Sequence, residues 1–238
     1  MHSILAEQDR RDRIALLLGI ALGSILLWQT ALGSLLLYPF TILATWFHEM
    51  GHGLAAMIAG REFERLLIFS DGSGVTHSLG PANGYGVTDA LIAASGSLGP
   101  AIAGALLIVA SRSAKATRDA LAVLGAALLA STLIWVRSTT GWLVLPGLGI
   151  AIMLLALGRS LAWRSFVIQL LGVEAAVSAW RQFGYLFSPG GVVGGELQRS
   201  DTGAIADVLL LPYWFWGAAI SAGILVLLWG SFRLAFRR

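Results

Sequence analysis

The sequence predicts an all-α polytopic membrane protein of about six to seven transmembrane helices, with a small β-hairpin after the second. Three observations predict it. Of the 238 residues, 57% are hydrophobic and only 12% charged, where a soluble domain carries about 25% charged residues. Mean hydropathy is +0.78, and several apolar runs reach or approach the roughly 20 residues that cross a bilayer. Between those runs lie short loops among which the Lys and Arg residues are scattered.

The chain reads as one transmembrane domain over 1–238. Residues 1–13 form a polar N-terminal tail, and the apolar run after Arg10, Arg11 and Arg13 is too long for a signal-peptide core, so it reads as a retained first helix. That first span runs from Ile14 to about Ala31, with Gly19 and Gly23 four apart on one face. Such a pair lets helices approach closely, or simply reflects the glycine content of membrane helices. A second span runs from about Gly33 to Gly60. Pro39 is tolerable in its first turns, where the amides lack intrahelical partners, and Ala59-Gly60 is its expected stop.

Residues 61–89 form an insertion of a different kind. Phe63 and Leu66 to Phe69 lead into Asp71-Gly72-Ser73-Gly74, with Val75-Thr76-His77 beyond. Apolar and β-branched residues around an Asp-Gly turn predict a hairpin. Gly80-Pro81 and Asn83-Gly84-Tyr85-Gly86 predict a loop, and Asp89 an N-cap for the third span. That span runs from Ala90 to about Ala110, opens with small residues from Ala93 to Ala101, and holds Pro100. Its composition favours close packing, and the proline a kink.

Ala120–Val136 and Trp142–Leu157 are two further spans, and Trp163-Arg164 reads as an interfacial segment. Phe166–Phe187 is a sixth span that carries Glu174 and Arg181. Ionisable groups at membrane depth face a bundle interior or a watery cavity, although a long arginine also snorkels to the interface. Ser188–Ser200 reads as a Gly-rich loop, Asp201–Asp207 as a short amphipathic start, and Pro212 to about Phe232 as the last span.

Composition narrows the function. The chain has no cysteine, which removes disulfides, thiolate catalysis and cysteine-based zinc sites. A pI near 9.8 does not point to nucleic acid, because the Lys and Arg residues sit in short loops that flank helices. Seven spans place eight Lys/Arg on the side of the C-terminal tail and eight on the other if Arg181 snorkels that way, so charge leaves the orientation open.

Chemistry concentrates in Phe47-His48-Glu49-Met50-Gly51-His52, within the second span. Residues four apart share a helix face, so His48 and His52 can converge on one ion. Two imidazoles favour zinc without demanding it. Glu49 is placed to take a proton from a metal-bound water. Polar groups in a span need a stabilising partner, and a metal supplies one. Catalytic zinc usually takes three protein ligands. For the third, Asp71 suits the turn better, His77 lies on a strand and Asp89 caps a helix. Asp201 ranks first, ahead of Asp207 and Glu174.

The run His48-Glu49-Met50-Gly51-His52-Gly53-Leu54-Ala55-Ala56 resembles the active-site helix of the site-2-protease-type (M50) zinc metallopeptidases, in particular the short bacterial M50B-like branch. Gly72-Ser73-Gly74-Val75-Thr76, Gly96-Ser97-Leu98-Gly99-Pro100 and Ser200-Asp201 fall where that branch has similar features. The resemblance implies an integral, multi-pass protein of a bacterial cell membrane that cuts a membrane-embedded protein substrate in or near a transmembrane segment. It implies Zn2+ held by His48 and His52, with Glu49 as the general base. Better-known members draw a third ligand from an Asp-Gly motif in a later helix, whereas the only Asp-Gly here is Asp71-Gly72 in the hairpin. A PDZ domain, present in many members, is absent. Two rival readings stand beside the peptidase: an inactive member of the same fold that binds or regulates a partner, and a transporter that uses Glu174, Arg181 and the histidines as a polar path.

Overall fold

The structure, a computed structural model, describes residues 2–80 and 86–237. The loop expected at Pro81–Tyr85 lies outside them. Helix α1 (His2–Trp28) carries the polar stretch and the first apolar run as one piece. The expected tail is therefore helical, in keeping with the good helix formers among its residues. The second expected span divides into α2 (Ala31–Leu36), capped by the Thr30 side chain, and α3 (Tyr38–Ile58). Pro39 is the reason: it has no amide for the Leu35 carbonyl, so the helix restarts with proline in its first turn. Gly60, at φ +78°, ends α3 where the sequence places the stop.

The hairpin forms as β1 (Glu62–Ile68) and β2 (Gly74–Leu79), antiparallel, with Leu66 opposite Thr76 and Leu67 opposite Val75. Strand β1 alternates faces, and Phe63, Leu66 and Ile68 are buried. Its other edge is covered as well, because Leu66 N–H donates to Trp135 O and Arg137 N–H donates to Leu66 O. The outer edge of the hairpin is thus β2.

Five helices follow the hairpin: α4 (Val87–Ala110), α5 (Ala114–Ile134), α6 (Thr139–Leu157), α7 (Leu161–Arg181) and the single-turn α8 (Phe183–Leu186). Three expectations change here. Asp89 lies in the first turn of α4 and pairs with Arg61, while Gly86 takes the N-cap position. Trp163 and Arg164 lie inside α7, because the Ser160 side chain caps that helix by accepting from Trp163 N–H. The sixth span ends at Arg181 rather than Phe187, and α8 turns off from it.

The Gly-rich loop is a second antiparallel hairpin, β3 (Gly190–Val193) and β4 (Glu196–Arg199). Gly194 and Gly195 both have positive φ, as a two-residue turn between paired strands requires. Helix α9 (Asp201–Val208), capped by Ser200, and α10 (Tyr213–Phe236) complete the chain. Among the described residues, α4, α5, α6, α7 and α10 are long and apolar enough to cross a membrane, and Ile14–Trp28 is a shorter apolar stretch.

The main core joins α3, β1, α5, α6 and α7 through Ile42, Trp46, Leu66, Leu128, Leu145 and Ile168. Trp46 Nε1 donates to Ser131 Oγ at 2.9 Å, tying α3 to α5. Helices α3 and α4 meet backbone to backbone. A Cβ on Gly99 would come within 2.3 Å of Phe47 O, and one on Gly51 within 2.4 Å of Ser95 O. The small residues of the third span therefore serve close packing, as expected. Gly19 and Gly23 do not, since a Cβ on either would meet nothing within 4 Å.

Candidate metal centre

Helix α3 carries two adjacent polar stripes. Thr41, Thr45 and Glu49 recur every four residues on one, and His48 and His52 form the other. The first hairpin lies along the former. Thr45 Oγ1 donates to Gly72 O at 2.5 Å, and Tyr38 Oη donates to Ser70 O at 3.0 Å. Thr76 Oγ1 is 2.8 Å from both Glu49 O and Glu49 Oε2. A Cβ on Gly74 would lie 2.7 Å from Glu49 Cγ, so glycine lets β2 close over the carboxylate. Glu49 is buried, yet it lines clefts on two sides.

His48, His52 and Asp201 meet at one point. Their Nε2 atoms are 3.1 Å apart. His48 Nε2 is 3.3 Å from Asp201 Oδ2, and His52 Nε2 is 3.2 Å from Asp201 Oδ1. Tetrahedral zinc with bonds of about 2.0–2.1 Å separates neighbouring ligand atoms by roughly 3.3 Å. The spacing and the donor set therefore fit a zinc-sized ion, with no atom of the three needing to move far. Within hydrogen-bond distance of Ile92 O, at 2.8 Å, the Nδ1 of His52 carries the proton and leaves the Nε2 lone pair for the cluster. His48 Nδ1 is buried with no partner among the described residues.

Asp201 opens α9, and its position depends on the chain before it. Ser200 Oγ accepts from Gly203 N–H and donates to Ser188 O, which fixes the turn into the helix. Ser97 Oγ donates to Asp201 Oδ2. Tyr185 Oη donates to Asp201 Oδ1 at 3.2 Å and accepts from Asp201 N–H at the same distance. A Cβ on Gly96 would come within 2.0 Å of His52 Nε2, so only glycine lets α4 pass so close to the ring.

The remaining candidate ligands lie elsewhere. Asp71 accepts from Ser73 N–H and Oγ in the hairpin turn, and those hydrogen bonds hold its carboxyl below the usual range. Asp207 pairs with Arg199 at 3.0 Å. Glu174 accepts from Ser24 Oγ of α1, and Arg181 lies over the Trp28 ring with Cζ 3.5 Å from its centroid. His77 stands on β2, opposite Arg65. Ser97, Thr76 and Tyr185 were not singled out from the sequence. Ser97 and Thr76 left a trace there, as members of the Gly96–Pro100 and Gly72–Thr76 segments, and Tyr185 left none.

Two clefts, of about 250 and 230 Å3, meet beside His48 and Glu49. One runs past Thr41, Ser178, Arg181 and Gln182, the other past Thr76, Ser78, Gln198 and Arg199. Both hairpins wall the passage.

The chain is thus a helical membrane protein that gathers two histidines, an aspartate and a neighbouring glutamate, a group that could hold a metal ion, at the meeting of two clefts. The chain is a member of the Peptidase M50B-like family, whose model matches residues 17–231. No curated protein and no solved structure matches it.

Proposed function

We propose that the protein is an intramembrane zinc metallopeptidase that hydrolyses a peptide bond in or near a transmembrane segment of another protein. The observation that carries this reading is the convergence of His48, His52 and Asp201 beside Glu49, in a chain of a peptidase family. His48, His52 and Asp201 would hold the ion. Zinc there would supply a Lewis acid and lower the pKa of a water.

The rest falls to the chain itself. Glu49 takes the proton of the attacking water and passes it to the leaving amine. Thr76 holds Oε2 of that carboxylate at 2.8 Å and so sets its direction. A transmembrane helix hides its carbonyls in hydrogen bonds, so the substrate must unwind before attack. The free edge of β2 runs beside Glu49 and can pair with the unwound segment as an added strand. The polar groups of the two clefts, from Arg181 to Arg199, give water a route to the site.

Replacing Glu49 with Gln is expected to leave metal content unchanged and to abolish cleavage of a membrane-embedded substrate. Cleavage by Glu49→Gln overturns the mechanism. Zinc-loaded wild type that cuts nothing favours the binding or regulatory reading instead.

A further inference from the structure

The two clefts that meet beside Glu49 share five lining residues: His48, Glu49, Gly74, Tyr185 and Val193. Of these only Tyr185 carries a hydroxyl. Its ring stands edge-on to His48 with centroids 6.0 Å apart, and its oxygen is anchored by the Asp201 amide. Two hydroxyls therefore hold the Asp201 carboxylate, in different surroundings. Ser97 is fully buried and donates to Oδ2. Tyr185 is only partly buried and reaches Oδ1 at 3.2 Å, beyond the roughly 2.5–3.0 Å usual for such a bond. Ser97 thus holds the carboxylate independently of Tyr185, while the phenol makes the longer of the two bonds and belongs to a residue that lines both clefts.

We propose that Tyr185 is a catalytic residue, donating a hydrogen bond to the substrate carbonyl oxygen as that oxygen gains negative charge. The proposal rests on the peptidase reading above. In the first step the water oxygen bonds to the carbonyl carbon, its proton passes to Glu49, and the π pair moves onto the carbonyl oxygen. Tyr185 donates to that oxygen and keeps its own proton. In the second step the pair returns to re-form the carbonyl and the C–N bond breaks. The nitrogen takes both electrons of that bond and the proton from Glu49. The exchange costs little because the bond given up is a long one, to a carboxylate already held by Ser97, and the one gained is to an oxygen that acquires a full charge. A donor pinned beforehand by a backbone amide needs little reorganisation when the charge appears.

The test uses the full-length protein in lipid nanodiscs and a fluorogenic transmembrane peptide that wild type cuts and Glu49→Gln does not. Tyr185→Phe is expected to lower kcat by about 10²–10³, with KM and zinc affinity unchanged. A phosphinic analogue of the same peptide, whose tetrahedral oxygen imitates the charged one, is expected to bind Tyr185→Phe more weakly by a similar factor. Ser97→Ala, by contrast, is expected to weaken zinc binding about 10–100-fold. If Tyr185→Phe loses zinc as Ser97→Ala does, the residue only positions a ligand and the proposal fails. Unchanged kcat and unchanged analogue affinity also overturn it. Zinc-loaded wild type that cuts no peptide removes the peptidase reading itself, and the proposal with it.

Discussion

The carboxylate of Asp201 is surrounded by four side chains, two imidazoles and two hydroxyls, each within 3.3 Å or closer. Neither of the other late acidic candidates is placed this way. Asp207 is exposed and engaged by Arg199, and Glu174 is buried against Ser24 of α1. Zinc titration therefore separates the three. Asp201→Ala and His48→Ala are expected to lose more than the ~10–100-fold in affinity that follows loss of a ligand-orienting group. Asp207→Ala and Glu174→Gln are expected to bind as wild type does. Equal affinity in Asp201→Ala would move the third ligand elsewhere. At this scale the sequence showed a good deal. Spacing on one helix put His48, Glu49 and His52 together, since a four-residue step returns to the same face. Asp201 was reachable only as a ranked choice among acids, because nothing local distinguishes a ligand from a surface aspartate. Tyr185 gave no signal, as its role depends on which chain segments face it.

The hairpin and the small-residue helix act on the site as elements. Strand β2 lies against the Thr41–Thr45–Glu49 stripe, and α4 presses Gly96 against His52. Gly96→Ala is the sharper probe, because the added Cβ would sit 2.0 Å from His52 Nε2 and the imidazole would have to leave its place beside His48 and Asp201. Overpacking of this sort costs about 1–3 kcal/mol. The variant is expected to fold less stably and to bind zinc more weakly, both readable by thermal unfolding with and without the metal. Gly19→Ala, which would meet nothing within 4 Å, is the matched control and should leave both unchanged. The hairpin at 62–79 was legible because alternation and an Asp-Gly turn are local properties. The hairpin at 190–199 carried an equally local sign, Val193-Gly194-Gly195-Glu196, which glycine-rich surroundings masked. The split at Leu37 followed from Pro39, yet proline near a helix start is compatible with either one helix or two.

Across the whole molecule, the outward faces of the long helices carry Leu18, Leu22, Leu106, Leu143, Leu154 and Val226, each more than 60% exposed. Those side chains are suited to lipid, while the polar residues turn inward to the centre formed by α3, α4, α8 and α9. His48 and His52 lie on α3 and Asp201 on α9, more than a hundred residues apart, so an ion held by the three would tie two distant segments of the chain together. An ion that binds only the folded chain adds about 2.7 kcal/mol of stability at one hundred times its Kd. Zinc is accordingly expected to raise the unfolding midpoint, a chelator to reverse the gain, and His48→Ala to show neither effect. An unchanged midpoint in zinc-saturated wild type would contradict a site spanning α3 and α9. The sequence alone determined the class of protein, the helical membrane architecture and the His-Glu pair, because hydropathy and helical period are summed over neighbouring residues. Only the tertiary structure decided which acid stands beside the histidines, that a second hairpin walls the passage, and that Tyr185 lines it. Those depend on contacts between residues far apart in the chain, which packing creates and no local pattern encodes.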